Sequence, residues 1–116
     1  MTRIIVCGGR DYADAKRLAE VLNEVADAHP DFTLVHGGAK GADALAHEWA
    51  LGWGIIEVFR ADWAKHGRAA GPIRNRQMLD AGADLVVAFP GGRGTADMIR
   101  QARARGVPVR EVRDVQ

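Results

Sequence analysis

The run Ile4-Ile5-Val6-Cys7-Gly8-Gly9-Arg10-Asp11 sets four apolar residues against a glycine turn, and the pattern returns twice. Phe32 to Val35 leads into His36-Gly37-Gly38-Ala39-Lys40-Gly41-Ala42-Asp43, and Leu85 to Phe89 leads into Pro90-Gly91-Gly92-Arg93-Gly94-Thr95. Helical spacing fills the intervals. Residues 12–28 put Leu18, Val21, Leu22, Val25 and Ala26 on one face, and Ala42, Leu45, Ala46, Trp49, Ala50 and Trp53 mark a second. Ile55 to Phe59 is a third apolar run, followed by a connection over 60–71. Helices are then expected from about Pro72 to Ala81 and from Thr95 to Arg105, with a last strand from Val107 to Val112. Pro72 suits a first helical position, and Gly106 a C-terminal stop.

Strands alternating with helices predict an α/β fold with right-handed crossovers and a parallel sheet. The expected architecture is a single Rossmann-like three-layer αβα domain over 1–116, with five parallel strands in the order 3-2-1-4-5. Parallel strands covered on both faces read as continuous apolar runs, which the first and fourth do. The third contains Glu57, and the fifth alternates and contains Pro108, which fits the two edges.

Composition agrees with one ordinary globular domain: 116 residues, 47% hydrophobic, 27% charged and a formal net charge of +1. The lone Cys7 excludes a disulfide scaffold. No apolar run approaches the roughly 20 residues of a membrane helix, so no membrane partner is expected. The opening MTRIIVCGGRD reads as strand and turn rather than signal peptide, which predicts a cytoplasmic protein.

In the expected order all three glycine turns fall on the carboxyl edge of the sheet, beside the crevice where doubly wound folds bind ligands. Glycine there lets backbone N–H groups approach a phosphate, with a helix N-terminus behind them; glycines are also simply good turn formers. Neither G-x-x-x-x-G-K-[ST] nor G-x-G-x-x-G is present, since Lys40 precedes Gly41 and Asp97 stands at the third glycine position. Charge follows the turns. Segments 8–12, 36–43, 60–76 and 90–97 hold eight Lys and Arg against four Asp, a net +4, and the remainder of the chain is −3. A nearly neutral chain with a basic ligand edge points to an anionic ligand.

Gly8-Gly9-Arg10-Asp11, His36 to Asp43, Ala61-Asp62-Trp63, Ala70-Gly71-Pro72-Ile73-Arg74-Asn75-Arg76-Gln77-Met78 and the Pro90 to Thr95 turn resemble, as an ordered set, the YspA-type domain. That domain belongs to the SLOG superfamily, shared by the DNA-processing protein DprA (Smf) and the LOG phosphoribohydrolases. The resemblance spans nearly the whole chain. It implies a Rossmann-like sheet with a nucleotide or nucleotide-derived ligand, such as an ADP-ribose-like small molecule, at the carboxyl edge. LOG enzymes cleave the N-glycosidic bond of nucleoside monophosphates with a Pro-Gly-Gly-x-Gly-Thr-x-x-Glu motif. Here Pro90 to Thr95 match, but Met98 holds the glutamate position and Asp97 lies one residue early, about 100° away around a helix. DprA binds single-stranded DNA and carries a helix opening like Arg74-Asn75-Arg76. Strand binders combine a basic groove with stacking aromatics, and only Trp63 is near this edge.

The resemblance thus implies a sensor or binding module first. A hydrolase using Asp97, Asp43 or Asp11, with Arg74, is second, and a less favoured single-stranded DNA module is third. The expected ligand-binding residues are Gly8, Gly9, Arg10, Gly37, Gly38, Lys40, Gly41, Asp43, Arg74, Asn75, Arg76, Pro90, Gly91, Gly92, Gly94 and Thr95. Asp43 reads as a contact to a ribose hydroxyl or a metal-bound water, or as a favourable first-turn acid. Thr95 reads as a phosphate donor or a helix cap. His36 reads as a general acid or base, or as a satisfied structural histidine. Cys7 and the four histidines lack metal spacing, and no cofactor is expected beyond a nucleotide ligand. The Trp49 and Trp53 face reads as core or as the seam of a homodimer.

Overall fold

A computed structural model describes residues 2–52 and 54–113. Five strands, β1 (Arg3–Cys7), β2 (Thr33–His36), β3 (Ile56–Val58), β4 (Leu85–Ala88) and β5 (Val109–Glu111), form one sheet in the order β3-β2-β1-β4-β5. Every pairing is parallel. Around it lie α1 (Ala15–Ala28), α2 (Ala42–Ala50), α3 (Trp63–His66), α4 (Ala70–Asp80) and α5 (Arg93–Ala104). The strand order and both edge assignments agree with the sequence reading.

Alternation along β1 divides the core into two layers. Ile4 and Val6 pack with Leu18, Val21, Leu22 and Val25 of α1 and with Ala42 and Ala46 of α2. Ile5 packs on the other face with Met78 and Leu79 of α4 and with Met98 and Ala102 of α5. The apolar stripe read from residues 12–28 is the buried face of α1, although that helix begins only at Ala15. Asp14 stops it there, because its carboxylate accepts the Arg17 N–H at 3.0 Å as an N-cap. At the edge, Glu57 of β3 pairs with Arg3.

Several expected boundaries move. The connection after β3 contains α3 and a 3-10 turn over Gly67–Ala69. Asp62 caps α3 through the Lys65 N–H. Helix α4 then starts at Ala70, so Pro72 is its third residue, not its first. Proline is accommodated because first-turn N–H groups have no intrahelical acceptor anyway. Arg74 is consequently the fifth residue of α4, and Arg76 lies beyond it. Helix α5 starts at Arg93 rather than Thr95, with Gly92 as its N-cap residue. Trp49 stacks on Phe32 and donates its indole N–H to Asn23, so it belongs to the intrachain packing. Trp53 lies outside the described residues. No helix among the described residues is long and apolar enough to cross a membrane.

Candidate functional site

The three glycine turns meet at the carboxyl edge and are bonded to one another. The Gly9 N–H donates to the Pro90 carbonyl at 2.9 Å, and the Gly9 carbonyl accepts from Ala42 at 3.1 Å and from Tyr12 at 3.2 Å. Close approach is what these glycines provide. A Cβ on Gly8 would lie 2.9 Å from the Phe89 Cβ, and one on Gly91 would lie 2.6 Å from the Gly9 nitrogen. Gly41 has φ +72° and its Cβ would run into the Gly9 carbonyl oxygen and the Arg10 backbone. Gly92 and Gly94 differ, since nothing lies within 4 Å of a Cβ built on either. Their backbone is open to a ligand.

The second turn is held from within. Asp43, buried at the start of α2, accepts the N–H groups of Gly37 at 3.0 Å and Ala39 at 3.2 Å. Nδ1 of His36 accepts the Gly38 N–H at 2.9 Å. All three loop amides therefore already have acceptors within the chain. Burial raises the Asp43 pKa, opposed by the Ala39 amide and the Arg74 guanidinium.

His36 is the satisfied structural histidine of the two readings. Because Nδ1 accepts a hydrogen bond, its proton is on Nε2, which lies 2.8 Å from Nδ1 of His47. Burial, with the neighbouring His47, Arg60 and Arg74, lowers its pKa to about 4. The unfolded chain therefore takes up this proton first as pH falls. The contribution of neutral His36 to stability is complete above about pH 6.5 and is lost on acidification towards about pH 4. His36→Asn, whose Oδ1 can keep the bond from Gly38, is expected to flatten that fall. Thermal melts at about pH 7 and about pH 4.5 check this; an unchanged difference between wild type and variant would contradict it.

Arg74 crosses from α4 to the second turn. Its Nη1 donates to the Gly37 carbonyl at 2.7 Å, and its Nε donates to Asn75 Oδ1 at 3.1 Å. Buried Asn75 then donates Nδ2 to Asp97 at 3.0 Å and to the Gly94 carbonyl at 3.2 Å. Asp97 also accepts from Arg100 and Gln101, both at 2.7 Å. This relay ties the second turn to the start of α5. It also gives both Asp97 oxygens donors, whereas the Gly37 and Ala39 N–H groups both fall on Asp43 Oδ2. Met98 is wholly buried in the core. Burial, reinforced by Asp43, pushes the Cys7 thiol up to about 12, which removes it as a nucleophile.

Above the relay lies the main cavity, of about 520 Å³. It brings together Gly8, Arg10, Gly37, Asp43, Arg74, Asn75, Gly92, Gly94, Thr95 and Asp97 from the expected set. Gly38 and Lys40 line an adjoining cavity of about 530 Å³, with Asp11. Pro90 and Gly91 border a third, on the other side of α5. Gly9 and Gly41 line none of these, and exposed Arg76 does not either. Sequence reasoning left Arg68, Arg93 and Met78 out of the site, although all three line the main cavity. Met78 is four residues after Arg74, on the same helix face. Arg68 and Arg93 were visible only in the charge count.

The chemistry suits an anion. Ala96 is the first α5 amide to reach a carbonyl of its own turn, on Gly92, which leaves the Arg93, Gly94 and Thr95 amides as donors at the positive end of the helix. Thr95 is the third helical residue, so its reading as a cap is corrected. None of the ion pairs among the described residues uses Arg10, Lys40, Arg60, Arg68, Arg74 or Arg93.

A three-layer domain on a parallel 3-2-1-4-5 sheet, with glycine turns at its carboxyl edge, is a Rossmann-like domain. The chain belongs to the YspA, cpYpsA-related SLOG family, whose model matches residues 2–66. It is 40% identical over 120 residues to the Gene 61 protein of Mycobacterium phage D29, covering 94% of each chain. Its fold is also similar to that of DNA processing protein A (DprA) from Streptococcus pneumoniae, with a TM-score of 0.78 at 19% identity. That likeness covers 99% of this chain and 51% of DprA, so the chain spans about half of that protein's length.

Proposed function

We propose that the main cavity binds the phosphate of a nucleotide or nucleotide-derived ligand and that the domain works as a sensor or binding module. The observation that carries this reading is the set of edge cations without carboxylate partners, gathered around the unpaired amides of Arg93, Gly94 and Thr95. Uncompensated positive charge at close quarters costs stability, and a bound anion removes that cost. Met78 and Trp63 give the same cavity an apolar wall for a base. Binding without turnover is favoured because both oxygens of Asp97 already accept from neighbouring donors and Met98 stands where LOG enzymes carry glutamate.

Calorimetric titration with AMP and ADP-ribose tests the reading. Saturable binding is expected, with the ligand recovered intact and no free base or ribose phosphate released. Gly92→Asp supplies the control. The new carboxylate sits at an N-cap position where it stabilises α5 by a few tenths of a kcal/mol. It also places negative charge where the phosphate would sit, so affinity falls about tenfold to a hundredfold. Undiminished affinity in a folded Gly92→Asp variant would remove phosphate from the α5 start, and release of free base would restore the hydrolase.

A further inference from the structure

The cleft does not end at the main cavity. The adjoining cavity of about 530 Å³ opens towards β2 and β3, and the two share Arg10, Gly37, Ala39, Trp63 and Arg74 as a common wall. Each alone has the volume of a small-ligand site. Two guanidiniums stand at the junction. Arg10 lies over the Trp63 ring, 5.5 Å from its centroid, and Arg74 reaches in from α4. Past the junction, Lys40 and Arg60 face a single carboxylate, Asp11.

A mononucleotide whose phosphate rests at the start of α5 would leave Arg10 and Arg74 at the junction with only Asp43, and Lys40 and Arg60 with only Asp11, an excess of positive charge with no ligand anion against it. From the shared cationic wall between two cavities of similar size, we infer that the ligand has two sugar-bearing parts, at least one of them a nucleoside, joined by an anionic phosphate bridge. One part occupies the main cavity, the bridge crosses beside Arg10 and Arg74, and the other part enters the second cavity near Lys40 and Arg60. This inference rests on the nucleotide-binding reading above. The bridge could be a pyrophosphate, as in ADP-ribose, or a phosphodiester, as in a dinucleotide; both present negative charge to the same guanidiniums.

The test is calorimetry at one fixed salt concentration with AMP, ADP-ribose, the dinucleotide pApA and a roughly twelve-residue oligodeoxyadenylate. At least one of the two-part probes is expected to bind about tenfold or more tightly than AMP. Which of them does so identifies the bridge. In a Lys40→Ala/Arg60→Ala double variant the affinities for AMP and the two-part probe are expected to converge. Both side chains are exposed, and an unchanged thermal midpoint verifies the fold. AMP binding as tightly as both two-part probes overturns the inference and leaves the nucleotide reading intact. An affinity ratio unmoved by the double variant also overturns it. So does an oligonucleotide that binds about tenfold more tightly than pApA, because that behaviour belongs to an extended strand. If no probe binds, the nucleotide reading fails as well.

Discussion

Gly41→Ala should destabilise the domain by about 3 kcal/mol or more, the largest loss expected from a single added methyl group. Two costs combine. The residue has φ +72°, which an L side chain rarely adopts, and the added Cβ meets backbone atoms of Gly9 and Arg10. Backbone cannot turn aside as the end of a side chain can. Relief would pull the second turn from the first and weaken the Ala42 N–H bond to the Gly9 carbonyl. Denaturant titration measures the effect. Gly94→Ala is the matched control: its Cβ meets nothing within 4 Å and it sits within α5, so the change is expected to be neutral or stabilising by up to about 1 kcal/mol. A loss below about 1 kcal/mol for Gly41→Ala would show that the turns are not locked as described.

Arg74→Ala should reduce ligand affinity by about tenfold to a hundredfold and stability by about 1–3 kcal/mol. The stability loss comes from the Gly37 carbonyl and Asn75 Oδ1, which both lose their donor. The affinity loss comes from removing a cation shared by both cavities. Arg74→Lys separates the two effects. It keeps a point charge but not the fork that spans Gly37 and Asn75. Partial recovery of affinity without recovery of stability is therefore expected. Full activity of Arg74→Ala in ligand titration would exclude Arg74 from the site.

Much of the architecture was legible because burial on both sheet faces leaves an obvious trace in sequence. Ile4-Ile5-Val6 and Leu85 to Ala88 are continuous apolar runs, and the sheet order follows from alternating strands and helices. Helix starts were less legible, since they depend on local capping. Asp14 holds back α1, and Gly92 opens α5 with no side-chain cap at all. Pro72 was misplaced because proline is tolerated throughout a first turn, not only at its first residue.

The site was half legible for a similar reason. Glycine doublets mark a close backbone approach without saying what approaches. At Gly9, Gly41 and Gly91 it is another turn; at Gly37 it is the Arg74 guanidinium; at Gly92 and Gly94 it is open solvent. No local pattern separates these cases, because the approaching atoms come from distant parts of the chain. The same holds for Asp43 and Asp97. Each looks like a catalytic acid in sequence, and each accepts from donors in a loop or in the same and neighbouring helices, which the sequence does not show.

The central claim is that a nucleotide phosphate rests on the first turn of α5. Amide chemical-shift mapping during titration with AMP and ADP-ribose tests it most directly. The account predicts saturable shifts at Gly92, Arg93, Gly94 and Thr95, with smaller changes at Gly37 and Gly38, whose N–H groups already have acceptors. Saturable shifts that leave the Arg93, Gly94 and Thr95 amides unmoved would contradict it.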